Sequence, residues 1–376
     1  MIEFLNRPFL DYLVEMLAEQ GIERILMLLG YMPGAIQSHF GDGRRWGVSI
    51  EYAVSPEEDD TGRRLKRAAG RLDPIFLLLY CDNYWPLDLE RLWRSYREKG
   101  APAQITAYRN DDGYTRGNLR LSADGLVREY DKSRTAVGLG AVDIGFALLE
   151  RALIEGLPNE NVSFEACVYP ALAAQGRLAA FETDHRYYSV GSHERLPFTQ
   201  EFLARRPTVL LDRDGVLNQR MAKGTYVRTW AEWTWLPGVL DSLRLLKQAG
   251  IRPIVITNQP GIARDMMSEA DLDTIHERMR ADVRATGGDI AAVYYCPHGW
   301  DEGCGCRKPR PGLLFQAQRD FHLDLSRVPM IGDDERDIEA ARAAGCRPIL
   351  VSDARPLAQV VPQLWDREPR QWANAS

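Results

Sequence analysis

The sequence predicts an α/β protein of two domains, and three observations carry that prediction. Apolar runs of strand length alternate with stretches of helical spacing through most of the chain. The alternation breaks once, at residues 192–207, SHERLPFTQEFLARRP, where Pro197 and Pro207 flank a short helical patch. Directly afterwards comes TVLLDRDGVL, residues 208–217, an apolar strand that ends in two aspartates one residue apart and is closed by Gly215. In an open α/β sheet, ligands bind outside the carboxyl ends of the strands, so this stretch predicts a reaction centre. The expected division is a first domain over residues 1–195, a linker over 196–207, a second domain over 208–355 and a C-terminal tail over 356–376.

At 376 residues the chain exceeds one ordinary domain, and its 45% hydrophobic and 27% charged content is that of a soluble protein. The net charge is -6, with Lys and Arg scattered among acidic residues, so no nucleic acid is expected as a partner. The opening MIEFLNRPFL has no basic region ahead of an apolar core, and runs such as residues 75–80 are too short to span a bilayer. The reading is a cytoplasmic protein with no membrane partner. Three of the six cysteines crowd between Cys296 and Cys306 and the others stand apart, which is not a disulfide framework. Nothing in the sequence speaks to oligomeric state.

In the first half, residues 9–20 carry Phe9, Leu10, Leu13 and Leu17 at helical spacing, Gly21 stops that helix, and residues 24–30 read as a buried strand. A helix over 32–40, a strand near 48–52, a helix over 61–69 and a strand over 75–82 follow, the last ending at Asp82. Taken alone, Asp82 reads equally as a metal ligand or as a strand-end carboxylate that caps the next helix.

IEFLNRPFLDYLVEML, Thr61-Gly62, Cys81-Asp82-Asn83, Asp131-Lys132, Val142-Asp143-Ile144-Gly145 and Ser163-Phe164-Glu165 stand in an order that resembles the sugar-phosphate nucleotidyltransferases, a family with a Rossmann-like sheet. The resemblance covers about residues 1–195. It implies a metal role for Asp82 and a sugar-phosphate contact for Lys132. Two departures matter: the family's N-terminal strand and glycine-rich, triphosphate-wrapping loop find no counterpart, Met1 falling where that loop should have ended, and Ser189 stands where the resemblance implies a second metal-binding acid. The domain is therefore expected not to transfer nucleotidyl groups, or else to begin downstream of its native start. The missing strand would lie between the strands at 24–30 and 75–82, which should either pair directly or leave open edges.

In the second half, strand alternation sends Asp212 and Asp214 to one face with Arg213 turned away. Carboxylates that close call for a cation, and Mg²⁺, which takes hard oxygen ligands, suits them. With a phosphate ester between them, Asp212 is placed to attack phosphorus and Asp214 to protonate the leaving oxygen and then activate water. A helix over 238–249 and a strand over 253–257 lead to Thr257, whose hydroxyl can hold a phosphoryl oxygen, and to Asn258. A helix over 269–286 and a strand near 292–295 then deliver Cys296, His298, Cys304 and Cys306. Three thiolates and an imidazole suit tetrahedral Zn²⁺ in a closed, structural site, and the glycines of this loop leave it little apolar mass to fold around. Arg307 and Lys308 follow at once, pinned by Pro309 and Pro311; Lys308 is placed to neutralise a phosphoryl group and Arg307 to fork onto a second phosphate or hydroxyls. After a helix over 312–321 and a strand over 328–331 comes Asp333, a third oxygen ligand for Mg²⁺, with Asp334 or Asp337 in support.

DRDGV, ITNQPG, CRKPRPG and IGDDERD in that order resemble the four motifs of the haloacid dehalogenase superfamily of phosphatases. No insertion long enough for a cap domain separates them, and the Cys/His loop, together with Thr-Asn-Gln-x-Gly-Ile-Ala-Arg ending at Arg264, is similar to the branch holding the D,D-heptose 1,7-bisphosphate phosphatases and histidinol-phosphate phosphatases. The resemblance implies two Rossmann-like domains, the second a cap-less haloacid dehalogenase fold with a zinc loop. It implies a small sugar-phosphate substrate bound by Asn258, Arg264 and Arg307. A transferase-like neighbour favours heptose bisphosphate, because removing its 7-phosphate leaves the 1-phosphate such a transferase uses. Histidinol phosphate and a non-catalytic sugar-phosphate-binding role are the alternatives.

Overall fold

The computed structural model describes residues 1–222 and 224–364. The chain divides into two compact units, Met1–Leu196 and Pro197–Ser376. No helix among the described residues is long and apolar enough to cross a membrane.

After a short antiparallel pairing of Glu3–Phe4 with Arg7–Pro8, the first unit forms helix α1 (Phe9–Glu19), which buries Phe9, Leu13, Val14 and Leu17 and stops before Gly21. Strand β1 (Arg24–Leu29), helix α2 (Pro33–Phe40), strand β2 (Ser49–Val54), helix α3 (Thr61–Ala68) and strand β3 (Ile75–Leu79) follow, within a residue or three of where apolar spacing puts them. Asp60 caps α3, its carboxylate accepting from the Thr61 N–H at 2.6 Å. Helix α4 (Leu89–Lys99), strand β4 (Ala103–Tyr108), the hairpin strands β5 (Leu119–Leu121) and β6 (Val127–Tyr130), strand β7 (Val142–Glu150), helix α5 (Arg151–Glu155), helix α6 (Phe164–Ala174) and strand β8 (Leu178–Thr183) complete the unit.

Its strands do not make one continuous sheet. β8, β4, β7 and β3 form a mixed four-stranded sheet in that order, and β1 pairs in parallel with β2 in a separate two-stranded sheet. Of the two outcomes expected for β1 and β3, direct pairing is not what the structure shows: each keeps one edge without a strand partner among the described residues. Leu28 of β1 and Phe76 and Leu78 of β3 nevertheless pack on one apolar cluster with Leu65, Ile105 and Phe164. All five residues of β3 are only half-buried, as befits an edge strand rather than a central one.

In the second unit a helix, α7 (Leu196–Leu203), occupies most of the expected linker and buries Phe202 and Leu203. Then come strand β9 (Thr208–Leu211), helix α8 (Val239–Gln248), strand β10 (Arg252–Asn258), helix α9 (Glu269–Ala285), strand β11 (Ala292–Cys296), helix α10 (Gly312–Phe321), strand β12 (Pro329–Gly332), helix α11 (Glu335–Ala344) and strand β13 (Arg347–Leu350). The sheet is wholly parallel, in the order β11-β10-β9-β12-β13. β9 is central and fully buried, so it reads as a continuous apolar run. Leu243 and Leu246 of α8 with Leu272, Ile275 and Met279 of α9 cover one face, and Leu314 and Ala317 of α10 with Ala340 and Ala341 of α11 cover the other.

The expected tail from residue 356 starts differently. Helix α12 (Leu357–Val360) and the turn to Leu364 bury Leu357, Val360, Val361 and Leu364 in the α8 and α9 core, because these apolar side chains complete that layer. Residues 365–376 of that tail lie outside the described residues.

Candidate active site

The carboxyl ends of β9, β10 and β12 converge on a cavity of about 620 Å³ whose lining includes Asp212, Asp214, Thr257, Asn258, Lys308 and Asp333. Strand alternation does not extend past Leu211, where β9 stops, and the chain turns tightly through Gly215 at φ 94°. Arg213 is not turned away. It is wholly buried and folds back on its neighbour, Nη2 lying 2.9 Å from Asp214 Oδ2, with further bonds to Gln259 Oε1 at 3.0 Å and His276 Nε2 at 3.2 Å. The guanidinium also lies over the Trp233 ring.

Asp214 also accepts from Asn218 Nδ2 at 2.9 Å and Gln259 Nε2 at 2.8 Å. Burial alone would raise its pKa, but the Arg213 charge and these hydrogen bonds outweigh burial and hold it below the usual carboxylate range. The structure does not gather Asp214 with the metal-competent acids. Those are Asp212, Asp333 and Asp337, whose carboxylate oxygens lie within 4.8 Å of one another. Glycine makes this approach possible: a Cβ on Gly215 would stand 2.0 Å from Asp333 Oδ2, and one on Gly332 2.2 Å from the Asp337 Cβ. Asp337 is aimed by a capping box at the start of α11, its Oδ2 accepting from the Asp334 N–H at 3.1 Å.

Lys308 is buried at the centre of the cluster. Its Nζ lies 2.8 Å from Asp212 Oδ1, 2.6 Å from Asp337 Oδ1 and 2.8 Å from the Ile256 carbonyl. The Arg213 N–H also donates to Asp212 Oδ1, at 2.7 Å, so both of these bonds fall on one oxygen of a residue that lines the cavity, and neither falls on Oδ2. Burial pushes the Asp212 carboxyl up to about 7, opposed by the Lys308 charge and reinforced by Asp337. Asn258 spends both ends of its amide on the Lys308 main chain, Nδ2 to the carbonyl at 3.0 Å and Oδ1 from the N–H at 3.1 Å, so it positions Lys308. Thr257 is buried, and its Oγ1 accepts from Gln259 Nε2 at 2.8 Å, which turns its own O–H proton elsewhere. Arg264 lies over the Tyr226 ring and Arg307 reaches the His298 carbonyl; both guanidiniums line the cavity.

Beside the cavity, Cys296, His298, Cys304 and Cys306 also bring their ligand atoms within 4.8 Å of one another, with neighbouring pairs 3.2 to 3.6 Å apart. Four ligands about 2.1–2.3 Å from a tetrahedral Zn²⁺ would be separated by only slightly more, so the donor set fits that ion. Arg310 braces the loop by donating to the Cys304 carbonyl at 2.7 Å.

A HAD-hydrolase-like family model matches residues 305–362, and a nucleotidyl transferase model matches residues 1–128. The D-glycero-beta-D-manno-heptose-1,7-bisphosphate 7-phosphatase of Pseudomonas aeruginosa is 43% identical over 150 residues, spanning 40% of this chain and 83% of that protein. The chain belongs to the haloacid dehalogenase-like phosphatases. It is a phosphoric monoester hydrolase fused to a nucleotidyltransferase-like unit. The Escherichia coli protein of the same name is 36% identical, spanning 40% of this chain and 82% of its own. Among solved structures, D,D-heptose 1,7-bisphosphate phosphatase from B. bronchiseptica, complexed with magnesium and phosphate, is 37% identical over 43% of this chain and 99% of that one, at a TM-score of 0.41. HddC from Yersinia pseudotuberculosis, complexed with GMP-PN, is 25% identical over 54% of this chain and 88% of that one, at 0.49.

Four of the phosphatase's site residues have no role predicted from the sequence: Arg213, Asn218 and Gln259 around Asp214, and Arg220 against Asp333. Gln259 lies inside a recognisable motif and Asn218 two residues beyond one, whereas nothing in the sequence marks Arg220. In the nucleotidyltransferase-like unit, Ser189 pairs with Asn83 beside Asp82, and no metal-competent group of three is formed there among the described residues. Lys132 Nζ is 2.7 Å from Glu165 Oε2 and 2.8 Å from Ser163 Oγ, so the resemblance's scattered pairs do meet.

Proposed function

We propose that the second unit removes the 7-phosphate of D-glycero-D-manno-heptose 1,7-bisphosphate through an aspartyl phosphate on Asp212. The observation that carries this is that Asp212 lines a cation-lined cavity with the bonds from Lys308 and the Arg213 N–H both on Oδ1, which leaves Oδ2 for attack. Asp212 and Asp333, with Asp337 behind them, are hard oxygen donors fitted to Mg²⁺, which when bound neutralises phosphoryl oxygens and clustered acids. Asp212 Oδ2 attacks phosphorus, the bond from phosphorus to the sugar oxygen breaks, and that oxygen takes a proton from Asp214. Water then adds to the aspartyl phosphate, gives a proton to Asp214, and leaves as inorganic phosphate while Asp212 is regenerated. Its neighbours hold Asp214 ionised in the free site, so the proton it gives the sugar oxygen is one it first takes from the P–O–H of the bound phosphate monoanion, and the proton later taken from water leaves with the inorganic phosphate, restoring the ionised carboxylate. Thr257 donates its free O–H to a phosphoryl oxygen, and Lys308 balances the charge on Asp212 throughout.

Arg264 and Arg307 are the cavity's guanidiniums for the substrate's second phosphate. Cys296, His298, Cys304 and Cys306 hold a structural Zn²⁺ that sets the position of Arg307. The substrate assignment rests on the names of the relatives and on the transferase-like unit in the same chain. A cytoplasmic sugar-phosphate enzyme follows from it. The test is kcat/KM of the whole chain, with Mg²⁺, on heptose 1,7-bisphosphate and on histidinol phosphate. The heptose should be preferred by more than about a hundredfold, as expected where a site built for a second phosphate meets a substrate lacking it; an equal or reversed preference contradicts the assignment.

A further inference from the structure

The acidic end of the cavity already holds a cation that belongs to the chain. Arg220 forks across two carboxylates, Nη1 at 3.0 Å from Asp333 Oδ2 and Nη2 at 2.9 Å from Asp334 Oδ2. The two acids differ in what remains if the fork opens. Asp334 has a second guanidinium, Arg336, with Nε 2.8 Å from Oδ1 and Nη2 3.0 Å from Oδ2, whereas among the described residues Arg220 is the cation paired with Asp333. Arg220 is 47% exposed, so it can leave without opening the core. Its segment is anchored at its ends, by the Gln219 N–H to the Thr234 carbonyl at 2.8 Å and by buried Val227.

We propose that Arg220 is an internal counter-ion of the divalent-metal site, occupying Asp333 until Mg²⁺ takes that carboxylate and so weakening Mg²⁺ affinity. A metal that takes Asp333 Oδ2 must displace the guanidinium, and one that takes the other oxygen must share the carboxylate's charge with it, so in either case Arg220 competes with Mg²⁺ for Asp333. Loading then frees the guanidinium of Arg220, which already lines the cavity together with Arg213, Arg264, Arg307, Lys308 and Arg336. Metal would thus prepare the site for an anionic substrate.

This rests on the reading that Mg²⁺ binds at Asp212 and Asp333, and the experiment separates the two. Mg²⁺ is titrated calorimetrically into the whole chain, without substrate, for wild type, Arg220→Met, Arg220→Lys and Asp333→Asn. Removing a half-exposed ion pair should tighten Mg²⁺ binding about three- to fivefold in Arg220→Met. Arg220→Lys, which keeps the charge but cannot fork, should fall between that variant and wild type. Unchanged or weaker binding in Arg220→Met overturns the proposal while Asp333→Asn still abolishes binding. Binding that survives Asp333→Asn, or none in any form, overturns the metal reading and the proposal with it.

Discussion

Replacing Lys308 by methionine removes the charge around which the site is built while keeping most of its volume. The ammonium is 2% exposed and has two carboxylates and a carbonyl within 2.8 Å, so its loss leaves the buried carboxylates of Asp212 and Asp337 without the cation they share. Breaking a buried pair of this kind costs about 3–5 kcal/mol when the partner charge has no escape. Asp212 has one, because burial already pushes its carboxyl up to about 7 even with Lys308 opposing the shift. Without Lys308 it rises further, and each further unit leaves roughly tenfold less of the ionised nucleophile at neutral pH. Adding about 10²-fold for the lost electrostatic stabilisation of the transferring phosphoryl group, kcat/KM should fall by about 10³. The sign of the stability effect follows from a carboxyl raised in the folded state. Its stabilising contribution is complete at acidic pH and is lost as pH rises through the folded pKa. Metal-free Lys308→Met should therefore melt higher at pH 5 than at pH 8, with a steeper dependence than wild type. Phosphate release against pH, with parallel thermal melts, is the assay. Activity within tenfold of wild type and an unshifted pH profile would refute the reasoning.

Purified protein should carry about one zinc per chain by elemental analysis, and Cys304→Ala should lower the melting temperature, since an incomplete ligand set returns the loop to one with little core of its own. His276, mostly buried, is held neutral with its pKa near 3 by burial first and by the Arg213 charge. A lowered histidine makes stability present at neutral pH disappear as pH falls below about 6.5, by about 2 kcal/mol at pH 5, and urea melts of His276→Gln should show a flatter acid limb. The first unit should release no pyrophosphate from heptose 1-phosphate with any nucleoside triphosphate, because Ser189 rather than a second acid stands beside Asp82; release by this chain contradicts that.

The residues that the chemistry requires within short stretches are legible in the sequence itself. Asp212, Thr257 and Asp333 close three apolar strands, and parallel pairing of β9 with β10 and β12 brings those ends together. Cys296, His298, Cys304 and Cys306 lie in one loop, so their spacing alone constrains them. What escapes the sequence depends on side-chain reach across the fold. Arg213 reads as outward-facing only if the strand continues past Leu211, and Gln259, an ordinary polar residue in a motif, becomes the link between Asp214, Arg213 and Thr257. Asn258, a motif residue expected against substrate, lines the cavity and also bonds the Lys308 main chain from both ends of its amide, a second task that its place in the motif does not announce. In the first unit the strands are readable from apolar runs, but their pairing is not: register and neighbour are set by distant segments, and β1 and β3 sit in different sheets.

The central claim, phosphoryl transfer to Asp212, is tested most directly by rapid acid quenching during turnover of phosphate-labelled heptose 1,7-bisphosphate, followed by peptide mapping. The label should appear transiently on the peptide holding Asp212, be absent from Asp212→Asn, and turnover by that variant should fall below about a hundredth of wild type. Full turnover without label on that peptide, or an Asp212→Asn enzyme that retains more than that hundredth, would contradict the account.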